Sequence, residues 1–251
     1  MRAMRADDAA RSESAVGPAT VAFAWTGAVL FAASLGWFFL SYFVRYGAAV
    51  AAGPLLRPVG FNVLLFTLFA AHHSGLARTG AKRWLQRRVT PALERSLYTW
   101  VASLLFMLVC WFWQPVPGVL YSVPYPWAFA GYAVQAAGIL LTIGGAASVD
   151  PLGLAGVRPA LLARHGLPAP HVPLKTAGVY GLVRHPLYFA WALMVFGAPT
   201  MTGTRAVFAL VSTLYLAVAI PWEERSLVQV FGSDYERYRG TVRWRMIPFL
   251  Y

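Results

Sequence analysis

Residues 178–188 read GVYGLVRHPLY, and residues 223–248 read EERSLVQVFGSDYERYRGTVRWRMIP, with an apolar hairpin between them. Tyr180, His185, Tyr188, Glu223 and Glu224 all stand at the edges of apolar runs that are otherwise free of charge. Titratable and hydrogen-bonding groups at the rim of apolar helices describe an active site at a membrane surface.

The remainder of the chain agrees. Of 251 residues, 59% are hydrophobic and only 12% charged, with 10 tryptophans and a mean hydropathy of +0.57. A soluble domain carries about twice that charged fraction. Apolar runs near 20–44, 59–77, 96–113, 127–147, 187–201 and 206–222 predict an all-α polytopic membrane protein with six helices. The last two form a tight hairpin around Thr202, Gly203 and Thr204. At about 23–26 Å each they fall short of a ~30 Å hydrocarbon core, so they span a thinned bilayer or form a re-entrant pair. Residues 1–19 read as a polar leader with Asp7, Asp8 and Glu13, and 20–251 as one integral-membrane domain. A first run this long behind a polar leader reads as a retained helix rather than a signal peptide. Cys110 lies inside the third run with no second cysteine to pair with, and packs as a small hydrophobe.

Basic residues set the orientation. With the N-terminus inside, only Arg45, Arg57 and Arg205 of the 21 Lys and Arg fall outside, which places both termini in the cytoplasm of an inner membrane. The net charge of +12 is then a skirt for anionic lipid headgroups rather than a nucleic-acid footprint. No apolar run has Asp, Glu, Lys or Arg in its interior, and only His72 and His73 titrate at membrane depth. That argues against a pump or ion-coupled transporter. No Walker loop, dinucleotide glycine fingerprint, HExxH or CxxC is present, so neither nucleotide hydrolysis nor a metal site is signalled.

This topology brings the polar residues together. Pro186 suits the first turn of the fifth helix, and the free N–H groups there suit an anion. Tyr188 shares the face of His185, and the sixth helix delivers Glu223 at its end on the same side. The resulting cytoplasmic pocket offers a carboxylate for an ammonium and aromatic faces for a sulfonium. Each residue also has a plainer reading. His185 caps a helix, Tyr180 and Tyr188 anchor the interface, Glu224 is solvated or pairs with an Arg, and Asp150 and Arg158 fix a loop. His72 and His73 equally suit contacts with neighbouring helices.

The RHPxY, EE and FGxxY array followed by a basic tail resembles the C-terminal core of the isoprenylcysteine carboxyl methyltransferase and phospholipid methyltransferase superfamily. AAHHSGLARTGAKRWLQRRVTPALERSLYTWVASLLFMLVCWFWQPVP (70–117), SVDPLGLAGVR (148–158) and APTMT (198–202) are similar to the matching parts of the bacterial methanethiol S-methyltransferases. The resemblance implies a membrane enzyme using S-adenosylmethionine, with a cofactor core at about 171–248. It implies cofactor contacts at Tyr180, at His185, Pro186, Leu187 and Tyr188, and at Glu223. Residues Val172 to Lys175, including Leu174 and Lys175, fall where the family also touches the cofactor. The implied acceptor is a small thiol such as methanethiol, giving a methyl thioether. Such a thiol arrives as its thiolate or loses its proton to His73 or to water. Prenylcysteine enzymes of the superfamily carry an arginine one turn before the glutamate, where this chain has Ala219. Carboxyl methylation of a prenylcysteine-like or other lipophilic substrate, and a noncatalytic membrane scaffold, are the alternatives.

Overall fold

The computed structural model describes residues 16–77, 85, 87–168 and 173–251. The leader up to residue 15, the loop basics Arg78, Lys82 and Arg83, and Val172 lie outside the described residues. Helix α1 runs Pro18–Leu40 and continues through a π-helical turn, Ser41–Arg45. Then come α2 (Leu56–Ala77), α3 (Pro91–Phe112), strand β1 (Val119–Ser122) and α4 (Ala128–Val149). Two short helices, α5 (Pro151–Leu154) and α6 (Val157–Arg164), lead to a 3-10 turn at Gly178–Gly181. Finally α7 (Pro186–Phe196), β2 (Thr200–Thr202), α8 (Gly203–Phe231) and α9 (Ser233–Thr241) complete the chain.

Among the described residues, four helical stretches are long and apolar enough to cross a membrane: Pro18–Arg45, Leu93–Phe112, Ala128–Ser148 and Gly203–Phe231. Outward-facing Leu64, Leu140, Ile143 and Leu214 are exposed, as a lipid-facing surface requires. Helix α1 packs along α3 and α6, α4 along α7, and α8 against α2 and α7. The α4–α7 contact depends on a small residue. A β-carbon at Gly138 would stand 2.6 Å from the Ala190 carbonyl oxygen, so only glycine allows this backbone approach. Gln135 Nε2 donates to the Met194 carbonyl at 2.9 Å in the same seam.

The expected hairpin of two short helices is corrected. Helix α7 has 11 residues, about 16 Å, whereas α8 has 29 and runs eight residues beyond Glu223. Pro221 lies inside α8, where its ring removes one donor and orphans the carbonyl four residues earlier. That carbonyl belongs to Ala217, and the Tyr251 hydroxyl donates to it at 3.2 Å. The helix therefore continues past the proline. The connection between α7 and α8 is also more than a turn, because β2 pairs antiparallel with β1.

The core is aromatic: Phe38, Tyr42, Tyr46, Phe66, Trp113 and Phe208 are buried together, with Cys110 among them. At this end tyrosine, threonine and arginine donors meet backbone acceptors, while the buried Trp113 indole N–H has no partner among the described residues. Tyr42 donates to the Val195 carbonyl and Thr202 to that of Tyr46. The Arg205 guanidinium donates to the carbonyls of Tyr42, Phe43 and Thr200 at 2.9–3.1 Å. Arg45 does the same at the end of α3, reaching the Cys110 and Trp111 carbonyls. Two arginines thus serve helix C-termini, where orphan carbonyls and the negative dipole end favour a cation.

Candidate active site

Twenty residues along α8 from its start, about 30 Å away, the polar groups gather around the N-terminus of α7. Pro186 takes the first helical position and His185 the N-cap, but the His185 side chain makes no capping bond. Its ring stacks instead on Tyr188, centroids 5.3 Å apart and 13° from parallel. The imidazole lies between the two glutamates, with Nδ1 3.5 Å from Glu223 Oε2 and Nε2 3.5 Å from Glu224 Oε1.

The adjacent glutamates have different surroundings. The Glu224 side chain is 4% exposed and receives Arg184 Nε at 2.6 Å, with Arg245 Nε at 3.7 Å. Of its two plain readings, pairing with an arginine holds and solvation does not. Arg184 also donates to the Val242 and Arg243 carbonyls, while the 184 and 185 backbone N–H groups donate to the carbonyls of Trp244 and Arg245. The basic tail is thereby laid across the start of α7. Arg245 further donates to the Tyr251 hydroxyl at 3.1 Å, linking this ion network to the Pro221 repair.

Glu223, by contrast, is 42% exposed and accepts one short hydrogen bond, from the Tyr188 hydroxyl at 2.7 Å. Its remaining lone pairs are free to meet a cation. Tyr180 lies within its electrostatic reach, as do Tyr98 on α3 and Tyr215 on α8. Burial raises the Tyr180 phenol and pushes Tyr238 up to about 12, so both keep their protons. Tyr238 uses its own to bond the Tyr180 carbonyl at 2.7 Å.

The structure brings Tyr180, His185, Pro186, Tyr188 and Glu223 to one end of the bundle. Leu174 packs with Tyr180 against Tyr235, Tyr238 and Val242. Lys175 is exposed. Leu187 points elsewhere, its Cδ2 standing over Gly145 of α4. His73 on α2 meets the Tyr98 hydroxyl at 3.0 Å and stacks on Phe69. Asp150 and Arg158 form the loop-fixing pair at 2.7 Å.

Sequence reasoning missed Arg184, Arg245, Tyr98 and Tyr215. Arg184 stood inside the RHP motif, and Tyr98 inside ERSLY. Tyr215 carried no signal, since a tyrosine in an apolar helix reads as core.

A family model described as Phospholipid methyltransferase matches residues 159–234, which hold this whole cluster apart from the tail, α2 and α3. The chain is 34% identical over 189 residues to Methanethiol S-methyltransferase 2 of Bradyrhizobium diazoefficiens, covering 75% of this chain and 71% of that one. It is 33% identical over 192 residues to Methanethiol S-methyltransferase of Mycobacterium tuberculosis, covering 76% and 79%. The chain belongs to the isoprenylcysteine carboxyl methyltransferase and phospholipid methyltransferase superfamily. Nurim of Sus scrofa, 29% identical over 190 residues and 72% of each chain, is a further relative within the superfamily. No solved structure matches. Superfamily membership, relatives named as methyltransferases and the apolar helices support a membrane methyltransferase.

Proposed function

We propose that the protein transfers a methyl group from S-adenosylmethionine to a small thiol, methanethiol or a near relative, giving a methyl thioether. The observation that carries the reading is the division between the glutamates: one is buried and paired with Arg184 and Arg245, and the other keeps a half-exposed carboxylate beside a phenol. That donor set fits the cofactor. Glu223 would meet its ammonium, the Leu187 backbone N–H that follows Pro186 at the start of α7 its carboxylate, and the faces of Tyr180 and Tyr188 its sulfonium. Leu174 and Lys175 border this space. When bound, the cofactor supplies an electrophilic methyl carbon; the thiol sulfur forms the new bond to it, and the old carbon–sulfur bond breaks with its electron pair passing to the donor sulfur.

His185 and Tyr188 hold Glu223 in place from one side, which preorganises the pocket at little cost on binding. His73 is the base on which the proton released by the thiol is finally held. Alignment of two reactants supplies most of the acceleration, since the methyl group arrives already activated. Ala219, one turn before Glu223, leaves a substrate carboxylate without a cation at that position, an arrangement costly to bury. We place the site on the cytoplasmic face of an inner membrane, in a single domain spanning 20–251 with both termini inside, where α7, too short to cross by itself, enters from the inner face and α8 returns to it. Reporter fusions at positions 90, 165 and 251 then read inside and one at 120 outside.

The activity test uses membranes containing the protein, given the donor and methanethiol in a sealed vial, with a farnesylcysteine analogue in parallel. Dimethyl sulfide in the headspace is expected. Methyl ester on the analogue with no volatile sulfide would return the protein to carboxyl methylation, and neither product, with no binding of S-adenosylhomocysteine, would make it a scaffold.

A further inference from the structure

The donor pocket leaves a second polar set at the same end of the bundle unused. Tyr98 of α3 and Tyr215 of α8 both turn toward the last turns of α2. The Tyr98 hydroxyl lies 3.0 Å from His73 Nδ1 and 3.3 Å from Nε2. The Tyr215 hydroxyl lies 2.6 Å from Ser74 Oγ and reaches the Ala70 carbonyl at 3.4 Å. Consecutive residues of one helix therefore back two phenols from two others. Tyr215 and Glu223 lie on the same helix, α8, two turns apart or about 12 Å along its axis, so this set stands just inward of the donor pocket. All four of Tyr98, Tyr215, His73 and Ser74 are partly accessible.

We propose that Tyr98 and Tyr215 form the acceptor subsite, binding the thiol sulfur between their hydroxyls, with Tyr98 handing the thiol proton to His73. This rests on the methyl-transfer reading above. A phenol both donates and accepts, so one hydroxyl can hold the sulfur while the other receives its hydrogen. As the sulfur forms its new bond to carbon, its proton moves to the Tyr98 oxygen, and the proton of Tyr98 moves to a ring nitrogen of His73. The resulting imidazolium later gives that proton to water, so His73 is restored and no charge is left behind. Stacking on Phe69, with centroids 5.4 Å apart, keeps the His73 ring in register. The Arg95 guanidinium, 5.5 Å over the Tyr98 ring, steadies that ring by a cation–π contact. Phe69 stacks on His73 and Phe66 meets the Tyr215 ring at 5.8 Å, aromatic surroundings that favour a compact apolar thiol.

Tyr98→Phe and Tyr215→Phe remove one hydroxyl each and keep the ring. Each variant and the parent are assayed for dimethyl sulfide from methanethiol and titrated calorimetrically with S-adenosylhomocysteine. Each substitution is expected to lower kcat/KM for methanethiol about tenfold, the size of one charge-assisted hydrogen bond, and to leave the S-adenosylhomocysteine Kd within about twofold of the parent. Ser74→Ala, which frees the Tyr215 hydroxyl from its anchor, is expected to raise KM for methanethiol with kcat unchanged. Both phenylalanine variants retaining parental kcat/KM would overturn the inference while leaving thiol methylation intact. Loss of S-adenosylhomocysteine binding in either variant would also overturn it, because the hydroxyls would then belong to the donor pocket or the scaffold. A parent that binds S-adenosylhomocysteine yet makes no dimethyl sulfide would instead remove the underlying reading.

Discussion

The two ends of this bundle each bury an arginine, but they use it differently. Around Arg205 each guanidinium nitrogen donates to a backbone carbonyl of a helix or strand end, which ties the cation into the scaffold. Around Arg184 the guanidinium is likewise engaged, by Glu224 and two tail carbonyls, yet the neighbouring Glu223 stays half-exposed with one tyrosine hydrogen bond and His185 beside it. Saturated polar groups build scaffold; a polar group held in place but not saturated is available for binding. Two adjacent glutamates thereby acquire opposite roles from their surroundings.

The strongest challenge to that contrast is Arg184→Ala. It leaves the Glu224 carboxylate buried with its best partner gone, a loss of about 3–5 kcal/mol. Thermal unfolding in detergent should show little or no folded protein, and a variant of parental stability would mean that Glu224 is not the structural member of the pair. Arg205→Ala comes next, at about 3 kcal/mol for the carbonyls left without donors. Its folded fraction should bind S-adenosylhomocysteine as the parent does. A stable Arg205→Ala protein with weakened binding would erase the distinction between the ends. Tyr188→Phe removes the one hydrogen bond that orients Glu223, worth about 1 kcal/mol, and the Kd for S-adenosylhomocysteine should rise severalfold with stability unchanged. Smallest is Tyr251→Phe, which reopens the Ala217 carbonyl beside Pro221 and should lower stability by about 0.5–1 kcal/mol.

Much of this was legible before any coordinates. Apolar runs located the long helices, and the RHPxY and EE spacing located the end where polar groups meet, because both signals are local. What escaped depends on partners far apart in sequence. Helix α8 looked finished at Trp222 because charge follows, but it continues past Pro221, where the distant Tyr251 hydroxyl donates to the Ala217 carbonyl. The β1–β2 pair joins Val119–Ser122 to Thr200–Thr202, segments too short to show a strand period. The Arg184–Glu224 pair bridges 40 residues, and the Ser74–Tyr215 contact bridges 141. No spacing rule reports such contacts.

The central claim is that Glu223, and not Glu224, faces the methyl donor. Titration of S-adenosylhomocysteine into purified parent protein and into Glu223→Ala tests it directly. Loss of a charge-assisted contact of about 1.5–3 kcal/mol predicts a Kd at least about tenfold weaker, with an unfolding temperature like that of the parent. An unchanged Kd in Glu223→Ala would contradict the account and take Glu223 out of the site.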